Sequence, residues 1–432
     1  MSSIFTGRVL FFQKPIVRRF SVPLLAFSVT LFVSARTEAQ VAPKSTELTE
    51  EVAVRRALSL PALEEVTEGL VGIARSEEVR EGLWPNPELA FNREEIRGDQ
   101  GAVQDFLMLS QAFDFSGRRG LKSKAADLRV QAVRGQGEAF RSEIEAEVRL
   151  RFHELLTAQL RVRTIQSWME RIESTLRIVT RREAVGDAAS YERYQLEREV
   201  TSTQVSLSMH EAERGQAWAR LAPLLGEVHL TGGPPEVSGS LLPDLPESSE
   251  QLVSRLKSRP DIVALGVLEE AAEVDSKAAS RWWVPKSTLG FGWTALDLGT
   301  QRDDGYIAMA AISLPLFERS QAESIQAASE ARLARGRQEL ALTQALGETR
   351  IGAAELTRLI DVAERHRRDV VERSGALIRT AEAGYAGDEL RILELLDAYR
   401  GAIDDEMSTL ALEFAARKAH IHLDLISGGY TP

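Results

Sequence analysis

Twice in this chain, a stretch that alternates with a period of two runs straight into a helical pattern far longer than an ordinary globular domain needs. Phe106, Met108, Ser110 and Ala112 point one way and Leu107, Leu109, Gln111 and Phe113 the other, which marks a strand. Ser116-Gly117-Arg118-Arg119-Gly120 ends the alternation, and from Leu121 a helical pattern continues without proline until Pro223. Tyr306 to Phe317 alternates in the same way, and Glu318 opens a second helical pattern that meets no proline before Pro432. Any fold for this chain must accommodate these two strand-to-helix junctions.

Composition narrows the choice. The 432 residues are 44% apolar, enough to build a core, and the net charge of -11 argues against nucleic acid as a partner. The absence of cysteine excludes disulfides, thiolate metal sites, a cysteine nucleophile and a lipid-anchored N-terminal cysteine. His420 and His422 face apart on a helix, so they suit a surface better than a metal site. No nucleophile motif or phosphate loop is visible, and Glu64-Glu65 and Asp404-Asp405 belong to solvated helix faces, so neither an enzyme nor a cofactor is expected. Lys14, Arg18 and Arg19 precede an apolar run from Phe20 to Val33, followed by small residues at Val33-Ser34-Ala35 and Thr37-Glu38-Ala39. Residues 1–39 therefore read as a signal peptide, with an uncleaved anchor as the competing reading. The run falls short of the roughly 20 residues of a membrane helix. With no longer apolar stretch downstream, an exported protein of this kind enters a membrane as strands.

The chain then repeats one plan. In residues 40–226 a helical segment from Glu50 to Gly82, interrupted near Pro61, carries Leu58, Leu63, Val66, Leu70 and Ile73 on its apolar side. Strands are expected at 88–96 and 103–115, and long helices at 121–182 and 191–221. The first long helix keeps Ile144, Val148, Leu155, Val162, Ile165, Met169, Ile172, Leu176 and Val179 at coiled-coil spacing. Residues 227–247, with Pro234, Pro235, Pro243 and Pro246, read as an extended linker. Residues 248–432 repeat the order with a helix to Arg281, strands at 287–295 and 306–317, and helices at 321–382 and 388–426. Leu396, Tyr399, Ile403, Met407, Leu410 and Phe414 line the return helix. The halves correspond at an offset of about 200 residues, with Gly186 matched to Gly384.

Strands of about ten residues suit a bilayer-crossing barrel wall. Trp84, Trp282, Trp283 and Trp293 suit interfacial aromatics, with ordinary core packing as the alternative. Four strands cannot close a barrel, and open edges are not tolerated in lipid. Several copies must therefore share one barrel, with the long helices continuing it as a tube. That plan makes a conduit.

Short motifs in this order resemble the TolC-type outer-membrane efflux family over nearly the whole mature length, most of all the branch typified by CzcC, which serves heavy-metal efflux. They are Pro85-Asn86-Pro87-Glu88-Leu89 with Glu94 to Gly98, Leu109-Ser110-Gln111-Ala112-Phe113 with Gly117-Arg118-Arg119, Gly186-Asp187-Ala188-Ala189-Ser190-Tyr191-Glu192, and Gly387-Asp388-Glu389 leading into Leu393-Glu394-Leu395-Leu396-Asp397-Ala398. The resemblance implies a mostly helical fold with a β-barrel contribution. Specifically, it implies a homotrimer whose twelve strands form one outer-membrane barrel in lipid above a periplasmic helical tunnel. It also implies two partners, a periplasmic adaptor and an inner-membrane pump, commonly of the resistance-nodulation-division class. Many relatives are lipidated at a cysteine that this chain lacks, and the turn from Gly384 to Glu389 holds an extra residue relative to the family.

A conduit needs a closable end, expected at the two helix-turn-helix tips. There Asp187, Glu192, Asp388 and Glu389 would form acidic rings that favour cations. The competing reading is that Asp187 and Asp388 sit where helices begin and answer the helix dipole. Val185, Gly186, Gly384 and Tyr385 are the tip residues expected to meet the adaptor, while Arg118 and Arg119 suit the membrane's periplasmic interface. Alternatives are the outer-membrane component of a type I secretion system and a periplasmic coiled-coil scaffold.

Overall fold

The computed structural model describes residues 47–97, 101–227 and 233–430, so the signal-peptide reading lies outside the described residues. The elements run α1 (Glu50–Leu58), α2 (Pro61–Gly82), β2 (Glu88–Ile96), β3 (Ala102–Phe113), α3 (Arg118–Ala184) and α4 (Ser190–Leu221). The second half gives α5 (Ser249–Leu256), α6 (Pro260–Ala279), β5 (Ser287–Asp297), β6 (Arg302–Ile312), α7 (Gln321–His366), α8 (Glu372–Ala386) and α9 (Ile392–Ser427). A five-residue π-turn, Arg367–Val371, joins α7 to α8, whereas α3 runs 67 residues unbroken. Two short strands, β1 (Leu48–Thr49) and β4 (Val237–Ser238), pair in parallel.

Two expectations are corrected. Within the segment read as a linker, Gln159, buried in α3, accepts from the Val237 N–H at 3.0 Å and donates to its carbonyl at 2.7 Å, which docks β4 against the long helix. The helix expected from Ser249 to Arg281 is two helices, because Pro260 has no N–H to continue α5 and instead opens α6. The fourth strand begins at Arg302 rather than Tyr306 and ends at Ile312 rather than Phe317. Its polar start pairs with the end of β5, Arg302 opposite Asp297, and the ladder stops after Ser313 N–H donates to Lys286 O, before Pro315.

The sheet order β2-β3-β5-β6 is antiparallel throughout and leaves two open edges, β2 and β6. The helices leave a matching pair of open sides. Helix α6 packs between α3 and α7, and α2 packs chiefly on α3. Of the apolar side read from the sequence, Leu63 is buried, but Val66, Leu70 and Ile73 are about half exposed or more. On α7, Ile325, Leu333, Leu340 and Ile351 are exposed as well. One copy thus presents an apolar stripe and an unpaired strand at each side, and these would be satisfied head to tail in a closed ring.

Six of the nine seam residues of α3 are buried, Val148, Leu155, Val162, Ile165, Ile172 and Val179. At mid-length α1 is held to α3 by Glu50, whose carboxylate lies 2.7 Å from Arg149 and 3.2 Å from the buried His153. Burial would raise the Glu50 pKa, but the His153 and Arg149 side chains outweigh it and hold the carboxyl at about 2, below its usual 4.5. A depressed carboxyl contributes stability that is full above 4.5 and lost as pH falls toward about 2. Thermal unfolding followed across that window should show an acid loss of at most about 3 kcal/mol from this group, and Glu50→Gln should flatten it. An unchanged acid slope in the variant would show that the clamp is not coupled to folding.

Candidate functional site

The sheet has two unlike faces. Residues directly opposite one another share a face, so Leu89, Leu109 and Phe291 lie together, as do Phe91, Leu107 and Trp293. Leu289, Ala308, Ala310 and Tyr306 continue that face. It is an apolar band with Leu89, Phe91 and Phe291 more than 60% exposed, which marks surface that neither water nor this copy's core covers well. The opposite face carries Asn92, Gln104, Ser110, Thr288 and Thr294 with Gly290 and Gly292, and Gln104 donates to Thr294 at 3.2 Å. A Cβ on Gly292 would stand 2.5 Å from Leu107 O, so the strands approach there in a way only glycine permits. The second face also carries Phe106, Met108, Ile307 and Met309, and an apolar band backed by a mixed, more polar face suits a wall between lipid and water.

The four tryptophans expected at an interface divide. Trp84 and Trp283 are about half exposed or more and, with Trp282, sit at the helix-side base of the sheet. Trp293 lies farther up β5, opposite Tyr306, which stacks on Phe291 with ring centres 6.0 Å apart. No helix among the described residues is long and apolar enough to cross a membrane.

At the far end of the helices the two tips come together. Arg182, in the last turn of α3, donates through Nε to Asp187 at 2.9 Å and through Nη2 to Asp388 at 2.6 Å. One guanidinium therefore joins the α3–α4 turn to the α8–α9 turn, and the hydrogen bonds from it to Asp388 and Asp187 hold its pKa above the usual arginine value. Beside it the Tyr385 hydroxyl donates to Glu192 at 2.7 Å, a second link between the tips. Burial and Glu192 push this phenol up, so it stays protonated as a donor. Behind this pair Tyr399 donates to Glu382 at 2.9 Å, and Arg171 donates to the same carboxylate at 2.8 Å. Burial, helped by Glu382, raises Tyr399 to about 12. Arg171, Arg182, Asp187, Glu382, Tyr385, Asp388 and Tyr399 line a cavity of about 560 Å³ between the tips.

The expected site residues thus fall in different places. Asp187 and Asp388 meet on Arg182, and Glu192 is tied to Tyr385. Glu389 is exposed, with its backbone N–H donating to Gly384 O at 2.8 Å. Asp187 and Asp388 do not begin helices: they lie in the closing turns of α3 and α8, before Ser190 and Ile392. Val185 is 80% exposed and Gly186 is open to solvent, as a contact surface requires. Tyr385, expected there too, is only 7% exposed because its ring packs in the core of the tip. Gly384 is half-buried, and a Cβ on it would press on Leu390 at 2.9 Å. Arg182, Arg171, Glu382 and Tyr399 were missed. Arg182 is indistinguishable in sequence from a basic residue that merely answers the helix C-terminal dipole.

The repeat also matches in a different register at the tip. The left-handed residue that closes α3 is Gly186 (φ 81°), and its counterpart after α8 is Asp388 (φ 58°) rather than Gly384. The intervening turns, 185–189 and 387–391, both span five residues. Likewise Gly117 (φ 70°) before α3 matches Ser320 (φ 56°) before α7. An aspartate in this region costs about 1 kcal/mol or more. Asp388→Gly should relieve that strain while deleting a carboxylate that Arg182 holds, so the melting temperature should move little. A clear rise would show that the carboxylate contributes less than the strain costs.

No protein-family profile matches the sequence. The chain is 20% identical over 304 residues to the nickel-cobalt-cadmium resistance protein NccC of Alcaligenes xylosoxydans xylosoxydans, covering 69% of this chain and 67% of that protein. The structure superposes on the outer-membrane channel OprN with a TM-score of 0.71 at 20% identity, covering 89% of this chain and 91% of OprN. It superposes on the outer membrane protein VceC of Vibrio cholerae with a TM-score of 0.69 at 18% identity, covering 88% and 96%. The two-faced, edge-open sheet, the long helices beneath it and these superpositions agree: the chain has the fold of the TolC-type outer-membrane channels.

Proposed function

We propose that this protein is the outer-membrane channel of a tripartite efflux system. Three copies close a barrel of twelve strands in the outer membrane, and the helices continue it as a tunnel through the periplasm. The observation that carries this reading is that each copy leaves strands β2 and β6 unpaired and the apolar stripes of α2 and α7 uncovered. Head-to-tail closure satisfies both sets at once, and the sheet supplies an apolar outer face and a more polar inner one. The tip of each copy, with Val185 and Gly186 outermost, meets a periplasmic adaptor that connects to an inner-membrane pump of the resistance-nodulation-division class. The cargo class we assign is heavy-metal cations, supported by the likeness to NccC and by the carboxylates of Asp187, Asp388 and Glu389 at the tip. The protein conducts passively, and the pump supplies the driving force.

Membrane fractionation, detergent extraction and sizing test the channel. An outer-membrane trimer is expected, and a soluble monomer in the periplasm would rule the barrel out. Deleting the gene and measuring growth in nickel, cobalt or cadmium salts tests the cargo. Unchanged tolerance to all three would remove the metal assignment and leave the channel standing.

A further inference from the structure

We propose that the lipid-facing side of the sheet's base carries a binding site for the phosphate headgroup of an anionic glycerophospholipid, drawn from the leaflet nearest the helices. The proposal rests on the reading of the sheet as a membrane-embedded wall. Where β3 hands over to α3 there is a cavity of about 280 Å³, lined by five basic side chains (Arg80, Arg118, Arg119, Lys122 and Lys286) against three acidic ones (Glu81, Asp114 and Glu323). Several of these charges are already engaged. Arg80 pairs with Glu77 at 2.7 Å, Arg118 pairs with Glu323, Lys122 lies 3.8 Å from Glu323, and Asp114 accepts from Ser116.

Arg119 and Lys286 are left without a direct pair among the described residues, Lys286 acting on Asp114 only at longer range. Among the described residues neither has a carboxylate within the 4.0 Å of an ion pair, and Arg119 Nη1 is buried without an acceptor. The Arg119 guanidinium lies flat enough over Trp84 to stand 3.6 Å from the ring centre. Stacking of that kind occupies the cation's face and leaves its N–H edge free for a phosphate.

The surroundings select a lipid over a free anion. Trp84 meets Phe113 edge-on at 6.1 Å, and Phe113 stacks on Phe115, which is 70% exposed. Phe113 is two and three steps of alternation from Leu109 and Leu107 and shares their face, so the aromatic floor continues into the apolar band. A headgroup held by Arg119 and Lys286 would leave its acyl chains lying along that band. The second junction differs. There Arg319 lies 5.5 Å over Trp282, but its Nε already donates to Leu316 O at 3.2 Å.

The test uses the full protein extracted in detergent and reconstituted into vesicles of phosphatidylcholine with or without phosphatidylglycerol, then released for native mass spectrometry. Retained phosphatidylglycerol in preference to phosphatidylcholine is expected. Arg119→Gln with Lys286→Gln should lower retention about thirtyfold, taking about fivefold per cation, while Arg319→Gln should leave it unchanged. Equal retention of both lipids, or equal loss in the Arg319→Gln control, overturns the site. If the double variant fails to assemble, each single variant is scored, with about fivefold expected and no loss overturning the site. Displacement of the lipid by inorganic phosphate alone would assign the pocket to a free anion and overturn the lipid. Protein that enters neither vesicle refutes the membrane reading itself, an outcome distinct from entry without lipid preference.

Discussion

Arg182→Ala is expected to leave the channel standing open. Among the described residues Arg182 is the one side chain that joins carboxylates from both tips, Asp187 in the α3–α4 turn and Asp388 in the α8–α9 turn. Both carboxylates are mostly exposed, so solvent screening limits each pair to about 0.5 kcal/mol. Two pairs in each of three copies give about 3 kcal/mol, about a hundredfold in the balance between closed and open tips. Removing the guanidinium also leaves two carboxylates side by side without a counter-charge. Arg182→Lys should restore part of the closure, because an ammonium cannot serve two carboxylates through a fixed fork. Tyr385→Phe should open the tip less, since it removes one hydrogen bond worth about 1 kcal/mol. Conductance across planar bilayers reads the open fraction, and raised salt should widen the opening of the native channel by screening the same pairs. An Arg182→Ala channel as closed as the native one would show that the tips are shut by apolar packing alone.

The strands and long helices were legible because each follows a period set by backbone geometry. Glu88–Ile96 was read to the residue, and α3 and α4 within three residues at each end. The failures have local physical causes. The single helix expected to run to Arg281 took no account of Pro260, whose missing N–H is enough to split it. At β6 the polar run Arg302-Asp303-Asp304-Gly305 lacks alternation and was read as loop, but its backbone pairs with β5 beyond the apolar band, where side-chain polarity no longer reports strand. The tip acids were found because acids clustered near two glycines. Their partner Arg182 was not, because an ion pair between residues 206 positions apart leaves no trace in local spacing. The true counterpart of Gly186 was hidden for a related reason: Asp388 takes the left-handed conformation that sequence assigns to glycine.

Arginine placed at two neighbouring positions in β3 should give opposite outcomes. Leu107 stands opposite Phe91 and Trp293 on the apolar face, near the middle of its strand. Leu107→Arg would put a cation into the hydrocarbon at a cost of about 2–4 kcal/mol per copy. Because every copy carries the change, about 6–12 kcal/mol falls on one closed barrel of three, comparable with the whole stability of an ordinary domain. The variant should fail to reach the outer membrane as a heat-resistant trimer. Met108, one residue on, points to the other face, opposite Gly292. Met108→Arg should assemble at native yield and change only what passes, lowering the preference for cations because three new positive charges line the lumen. Trimer yield on unheated gels and ion selectivity in bilayers decide the matter. If Met108→Arg abolished assembly and Leu107→Arg did not, the faces would be reversed, and the band of Leu89, Phe91, Leu109 and Phe291 would have to line the interior. A barrel with that band inside would expose Asn92, Gln104, Ser110 and Thr294 to hydrocarbon, where their hydrogen-bonding groups have no water to replace the partners they lose.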